Sequence, residues 1–253
     1  MLPPVGRSDS PVRSVNVREE HEAVVIQATR GNVVVLGWNQ TRVRTSIRSW
    51  PKDFRNQTIA GPSEPGAQSV GFEGSLSILE KSNRVAIRFQ ADKEEETLFV
   101  WIPDDRNLKV SALGGGSVAV RGTKGEVDVQ SLQGKILLDQ IWGPVVAHAL
   151  NEELWVRFAA LVVSKPNYLS SLNGNVTVIL PEGADASFEL DFFNGEVDTS
   201  IPITLVPGTN VWAADGSTVF EPSRAAETTR KATHFRIKNH NGNIIIKDYE
   251  SKN

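Results

Sequence analysis

Short runs of alternating apolar and polar residues recur along this chain, and most of them open on a glycine. A glycine followed by apolar residues at the second and fourth positions occurs at Gly31–Val35, Gly74–Ile78, Gly116–Val120, Gly125–Val129, Gly134–Leu138, Gly174–Val178 and Gly242–Ile246, and with a β-branched last position at Gly195–Thr199. Glycine admits the positive φ of a tight turn, and period-two alternation buries every second side chain of a strand. The phrase therefore predicts one turn and one short strand, repeated. Self-similarity of this kind marks a repeat architecture, in which no unit buries its apolar side alone and neighbours must stack.

The copies can be registered by subtraction. Val118, Ile136 and Leu154 are spaced by 18, as are Val120, Leu138 and Val156, while Leu113, Leu132 and Leu150 are spaced by 19 and 18. These spacings predict coils of two short strands joined by a glycine corner, with the apolar columns facing inward. Leu172, Val176 and Val178 continue the series at a spacing of 22, and Phe193, Val197 and Thr199 at 21. The predicted fold is all-β, a single-stranded β-solenoid of stacked coils of ~18–22 residues. A β-sandwich is the alternative, because short strands with Gly and Asn turns also describe one. One domain is expected over residues 23–250, after an extended or disordered segment at 1–22. A loop insertion is expected at 51–69, where Pro, Gly, Ser, Gln and Asn accumulate without a period, and a linker or short helix near 221–231.

Charge and composition narrow the function classes. With 27 basic and 30 acidic residues the net charge is -3, so no overall field draws in nucleic acid or an anionic membrane. Cysteine is absent, which removes disulfides, thiolate metal sites and a cysteine nucleophile together. No apolar run approaches the ~18 residues of a membrane span, and the first ten residues contain no apolar stretch of a secretory signal.

Several motifs, in this order, resemble the bacterial "putative adhesin" family, also catalogued as a domain of unknown function. Arg30-Gly31-Asn32-Val33-Val34-Val35-Leu36-Gly37-Trp38 with Val43 is similar to its opening strand pair, and Ile102-Pro103 with Leu108-Lys109-Val110 to its strand, Pro, strand element. Ser171 to Ala184, containing Asn173-Gly174 and Leu180-Pro181-Glu182-Gly183-Ala184, followed by Phe193-Asn194-Gly195-Glu196-Val197, resembles its core. The likeness runs from about Ala23 to Lys247. Asn151-Glu152-Glu153 departs from it, standing where a glycine corner is expected. The resemblance implies a solenoid-like domain of the cell envelope or of secreted proteins, with a protein or polysaccharide of the envelope as partner and no enzymatic activity or cofactor.

The 18-residue register also assigns outward positions. Arg121, Asp139 and Arg157 should form a column of alternating charge beside an apolar column of Ala119, Leu137 and Trp155. Arg121, Leu137, Asp139, Trp155 and Arg157 are therefore the candidate interaction surface, either as a plain solvated ladder or as an apolar strip beside cations suited to a sugar or a partner protein. Substituting Trp155 and Arg157 should then weaken partner binding with little effect on melting.

Catalysis has thin local support. Glu196 and Asp198 share a strand face at about 7 Å, within the separation of a glycosidase pair, but no apolar neighbour would raise one pKa. His21, His148, His234 and His240 are scattered without the spacing of metal ligands. Gly114-Gly115-Gly116 lacks the Lys-Ser/Thr of a phosphate loop. No catalytic, cofactor or metal residues are assigned. Most of the tryptophans are expected at strand ends or corners, capping a core. The reading is of a non-enzymatic binding or structural module; a scaffold self-associating end to end and a polysaccharide-active enzyme are its alternatives.

Overall fold

The computed structural model describes residues 13–17, 22–59, 61, 74–81, 83–163, 165–201, 203–205, 211–214 and 232–249. All regular structure among them is β-strand. The first part holds β1 (Arg13–Asn16), β2 (Ala23–Arg30), β3 (Asn32–Trp38), β4 (Arg42–Ser49), β5 (Ser75–Lys81), β6 (Arg84–Gln90) and β7 (Glu96–Pro103). The middle holds β8 (Asn107–Ala112), β9 (Val118–Arg121), β10 (Val127–Ser131), β11 (Ile136–Ile141), β12 (Val145–Ala149), β13 (Leu154–Phe158), β14 (Asn167–Asn173) and β15 (Val176–Leu180). The last part holds β16 (Ala186–Asn194), β17 (Val197–Thr199), β18 (Ile203–Leu205), β19 (Val211–Ala214), β20 (Thr233–Asn241) and β21 (Ile244–Asp248).

These strands form two mixed sheets. The first runs β1-β4-β7-β3-β9-β11-β13-β15-β21-β17 and the second β18-β19-β16-β20-β14-β12-β10-β8-β2-β6-β5. Pairing is parallel from β7 to β17 and from β16 to β6, and antiparallel only at β1, β4, β5, β18 and β19. Through the middle of the chain, each stretch of sequence gives one strand to the second sheet and the next to the first, so equivalent residues stack in register. Val33, Val118, Ile136, Leu154, Val176 and Ile244 make one such inward column. Both sheets contribute to a single core, where most of these side chains have no exposed surface. Each buried Val, Ile or Leu stabilises by ~1.5 to 3 kcal/mol. Toward the end of the stack the core widens to Phe158, Phe188 and Phe235, with Phe188 and Phe235 stacked at 5.3 Å.

Three expectations require correction or completion. Leu113, Leu132, Leu150 and Leu172 do not face inward: they are 51%, 40%, 38% and 41% exposed. They come one position after the last inward residue of their strands, so period-two alternation itself turns them outward, and equal spacing alone does not give their side. The order of units also differs from the order in sequence. The unit of β16 and β17 does not follow that of β14 and β15; β20 and β21 insert between them. At the other end β2 and β3 lie between β6 and β7 on one side and β8 and β9 on the other. Parallel strands offer the same backbone edges whatever their place in the chain, so a distant unit with Phe235, Ile237, Ile244 and Ile246 inward fits as well as a neighbouring one. Of the segments named in advance, Arg13–Asn16 pairs with β4. Residues 51–59 and 61 are turn and loop, while 62–69 and the linker at 221–231 lie outside the described residues.

The recurrent glycines are set by stacking as much as by turn geometry. At Gly134 a Cβ would lie 2.1 Å from the carbonyl oxygen of Gly116, and at Gly143 1.9 Å from that of Gly125. Neither needs a positive φ; each sits where the backbone of one unit touches that of the next.

Candidate functional site

The outward face of the first sheet is not a bare surface. In-register pairing brings Val34, Phe99, Ala119, Leu137 and Trp155 into one row, with Leu36 and Trp101 beside them. A row this apolar requires cover. The segment of residues 51–59 folds across it and seats Phe54 in the row, completing a second core on the far side of the sheet from the main one. Its turn is held by the Asp53 carbonyl, which accepts the Gln57 N–H at 2.8 Å, and by the Asp53 carboxylate, which accepts from the Asn56 side chain.

Three arginines fasten this segment, and a fourth lies in the floor beneath it. Arg55 donates to both carboxylate oxygens of Glu153 at 2.8 Å and lies over the Trp155 ring at 4.7 Å. The Asn-Glu-Glu departure from the glycine corner thus supplies the carboxylate that clamps the covering segment. Arg121 lies over Phe54 and donates through Nη1 to the Gln57 carbonyl at 2.8 Å. Arg48 stacks on Trp101 and donates to the Gly61 carbonyl at 3.0 Å. Arg157 sits between Trp155 and Tyr249.

The predicted column of Arg121, Asp139 and Arg157 does assemble. Arg121 Nε donates to Asp139 Oδ2 at 2.8 Å and Arg157 donates to Asp139 Oδ1 at 2.6 Å. Its environment corrects the expected solvated ladder: the Asp139 side chain is 1% exposed and the two guanidinium side chains 17% and 18%. Leu137 and Trp155 are buried as well. The five residues face outward from the stack as their spacing requires, but as the floor of a covered layer.

Between the covering segment and this floor lies a cleft of about 560 Å³, lined among others by Trp38, Trp101, Arg121, Asp139, Gln140 and Arg157. A volume of this order falls in the range of small-ligand sites. Gln140 has a φ of +52°, among the described residues the one non-glycine with a positive value. It is the extra residue of a bulge: Leu138 pairs with Val156 and Ile141 with Phe158, so Asp139 and Gln140 together face the single residue Arg157. A bulge of this kind re-aims a side chain, and a left-handed non-glycine residue carries a backbone cost of about 1 kcal/mol or more.

Other polar groups are less promising. His234 Nδ1 lies 3.1 Å from Ser187 Oγ and its Nε2 3.9 Å from Glu189, an arrangement with the outline of a triad. Ser187 is completely buried, so no carbonyl can approach its hydroxyl, and Glu189 is also paired with Arg236. Burial pushes the His234 pKa below its usual value; Glu189 opposes this and Arg236 reinforces it. The unfolded chain therefore binds the proton more readily than the folded one. Stability should fall as pH drops below about 6.5, the ordinary histidine value, and this component should vanish in His234→Gln, as measured by urea unfolding between pH 7 and 5.

His148 bonds Ser170 and His240 stacks on Phe193, and no group of metal-ligating side chains exists among the described residues, where His21 is not included. Glu196 and Asp198 are both exposed at the edge unit. Trp101 and Trp155 lie within strands in the second core rather than at corners, and Trp38 and Trp50 pack against it. Sequence reasoning missed Arg48, Phe54, Arg55 and Gln140. Arg42, Arg44 and Arg48 do fall on one side of β4 by period two, which was a usable signal; Phe54 and Arg55 sit in a segment without a period.

Comparison with known proteins places the fold and little more. No family model matches the chain, and no curated protein matches it. A crystal structure of a "putative cell adhesion protein" from Clostridium sporogenes aligns with a TM-score of 0.50 at 11% identity, over 94% of this chain and 99% of that one. A "putative adhesin" from Bacteroides fragilis aligns with a TM-score of 0.33 at 13% identity, over 97% and 100%. The first shares the architecture of this chain. No helix among the described residues is long and apolar enough to cross a membrane.

Proposed function

We propose that this chain is a non-catalytic, adhesin-like binding module of the bacterial cell surface, a β-solenoid that carries its ligand in the cleft beneath residues 55–59. The observation that carries the reading is the covered layer itself. A stack stabilised by its main core has no need of a second apolar row, an added segment to cover it and a strained bulge beside the opening. The bulge costs about 1 kcal/mol or more, and with the covered row beside it makes sense where a ligand is held.

The solenoid reading is supported by the parallel neighbours in both sheets and by the delivery of successive strands to alternate sheets; a sandwich is built mainly from antiparallel pairs. Antiparallel β4 and β1 close one end of the first sheet and β5 closes the same end of the second. At that end β5, the edge of the second sheet, runs opposite to the stacked strands, so another copy cannot continue the parallel pairing of both sheets there, which weighs against a scaffold growing end to end. Against an enzyme stands Asp139, the single carboxylate lining the cleft among the described residues and already committed to two arginines, where glycoside hydrolysis ordinarily needs a pair.

The test is retention of the purified chain on a panel of immobilised bacterial-surface polysaccharides, with the appearance of new reducing ends assayed in parallel. Saturable retention without turnover is expected. Turnover would contradict the non-catalytic reading, and absence of retention on every member would contradict a cleft that carries a surface saccharide.

A further inference from the structure

The charges around the cleft select among ligands. Arg55, Arg121 and Arg157 line the cleft, against the carboxylate of Asp139 and that of Glu153, which Arg55 clamps. Three cations less two anions leave a surplus of one positive charge among the described residues, in a chain whose net charge is -3. The surplus is half-buried, where an opposite charge is screened less than at the surface.

Its donors are partly unspent. Arg121 uses Nε on Asp139 and Nη1 on the Gln57 carbonyl, and Arg157 uses Nε and Nη2 on Asp139. Nη2 of Arg121 and Nη1 of Arg157 have no acceptor among the described residues. Asp139, gripped from both sides, fixes the planes of both guanidiniums, so little side-chain freedom is lost when a second anion docks on them. Trp38 supplies a partly buried aromatic wall, and the bulge brings the Gln140 amide to the same opening.

Resting on the binding-module reading, we infer that the cleft takes an acidic saccharide. The carboxylate of a uronic acid residue meets Arg157 and Arg121, its ring lies against Trp38 and its hydroxyls reach the Gln140 amide. An acidic peptide would satisfy the arginines but leave the aromatic wall and the amide without matching partners.

The test is calorimetric titration of the intact chain with trigalacturonate, its methyl ester, a neutral glucose trimer and oligoaspartate. Trigalacturonate should bind, and loss of the charge in the methyl ester should weaken binding at least about tenfold, the scale of a charge-assisted hydrogen bond. Arg157→Gln should weaken it by a similar factor. Because that substitution also disturbs the pairing of Asp139, Gln140→Gly serves as a second probe. Glycine relieves the left-handed backbone, so its melting temperature should hold or rise while its Kd increases about threefold or more.

Equal affinity for the methyl ester or the glucose trimer would overturn the acidic-sugar assignment and leave the binding module standing. Equal affinity for oligoaspartate would overturn it in favour of a peptide ligand. Trigalacturonate failing to bind at millimolar concentration would overturn it as well. Shortening of the trimer would instead overturn the non-catalytic reading.

Discussion

Replacing Gly134 with alanine is expected to destabilise the chain by more than about 3 kcal/mol, near the upper end of single-substitution effects. The new Cβ would lie 2.1 Å from the Gly116 carbonyl oxygen, 2.2 Å from its carbon and 2.5 Å from the Ser117 nitrogen. All three are backbone atoms of the adjoining unit and cannot rotate away. The units must separate locally, and the parallel hydrogen bonds flanking the corner weaken with them. Gly183→Ala is the control, because Gly183 has a φ of +67° but open space around its Cβ. It should cost only about 1 kcal/mol, the strain of the left-handed conformation. Urea unfolding of the two variants separates stacking from turn geometry, and equal losses would mean that contact between units is not what requires glycine.

Trp155→Ala should cost about 3 to 5 kcal/mol, as for other large aromatic truncations in cores. Trp155 is 6% exposed, stacked beneath Arg55 and packed in the row with Leu137. This differs from the apolar-strip alternative read from the sequence, in which the same residue bound a partner and contributed little to melting. Arg55→Ala should cost less, about 1 kcal/mol, since it removes one cation–π contact and one partly exposed ion pair. A thermal-unfolding series on both variants decides the matter. A Trp155→Ala protein that melts like the parent would show that the covering segment does not seal the row.

The stacked middle of the chain was legible because parallel, in-register stacking demands units of nearly equal length. Val118, Ile136 and Leu154 could be aligned by subtraction, and with them the outward column of Arg121, Asp139 and Arg157. The limits have physical causes. Backbone pairing does not depend on where a strand lies in the chain, so nothing in Phe235–Ile246 announced that this unit precedes β16 and β17 in the stack. Equal spacing does not report the side of a sheet, and Leu113 and Leu132 keep the right spacing while alternation turns them to water. The site escaped for a related reason. Arg55 meets Glu153 across 98 positions, from a segment without periodicity, and no local pattern reports that an outward apolar row is covered. The departure at Asn151-Glu152-Glu153 was visible as an anomaly, and its meaning became clear only with Arg55 in place.

The central claim is that ligand enters the cleft beneath residues 55–59, and residue-resolved NMR during a titration with trigalacturonate tests it most directly. The account predicts shifts concentrated at the Trp38 indole N–H, the Gln140 side-chain amide and the backbone of residues 55–59, with His148 and Tyr168 on the other sheet unmoved. Shifts at His148 and Tyr168, with Trp38 and Gln140 silent, would contradict it.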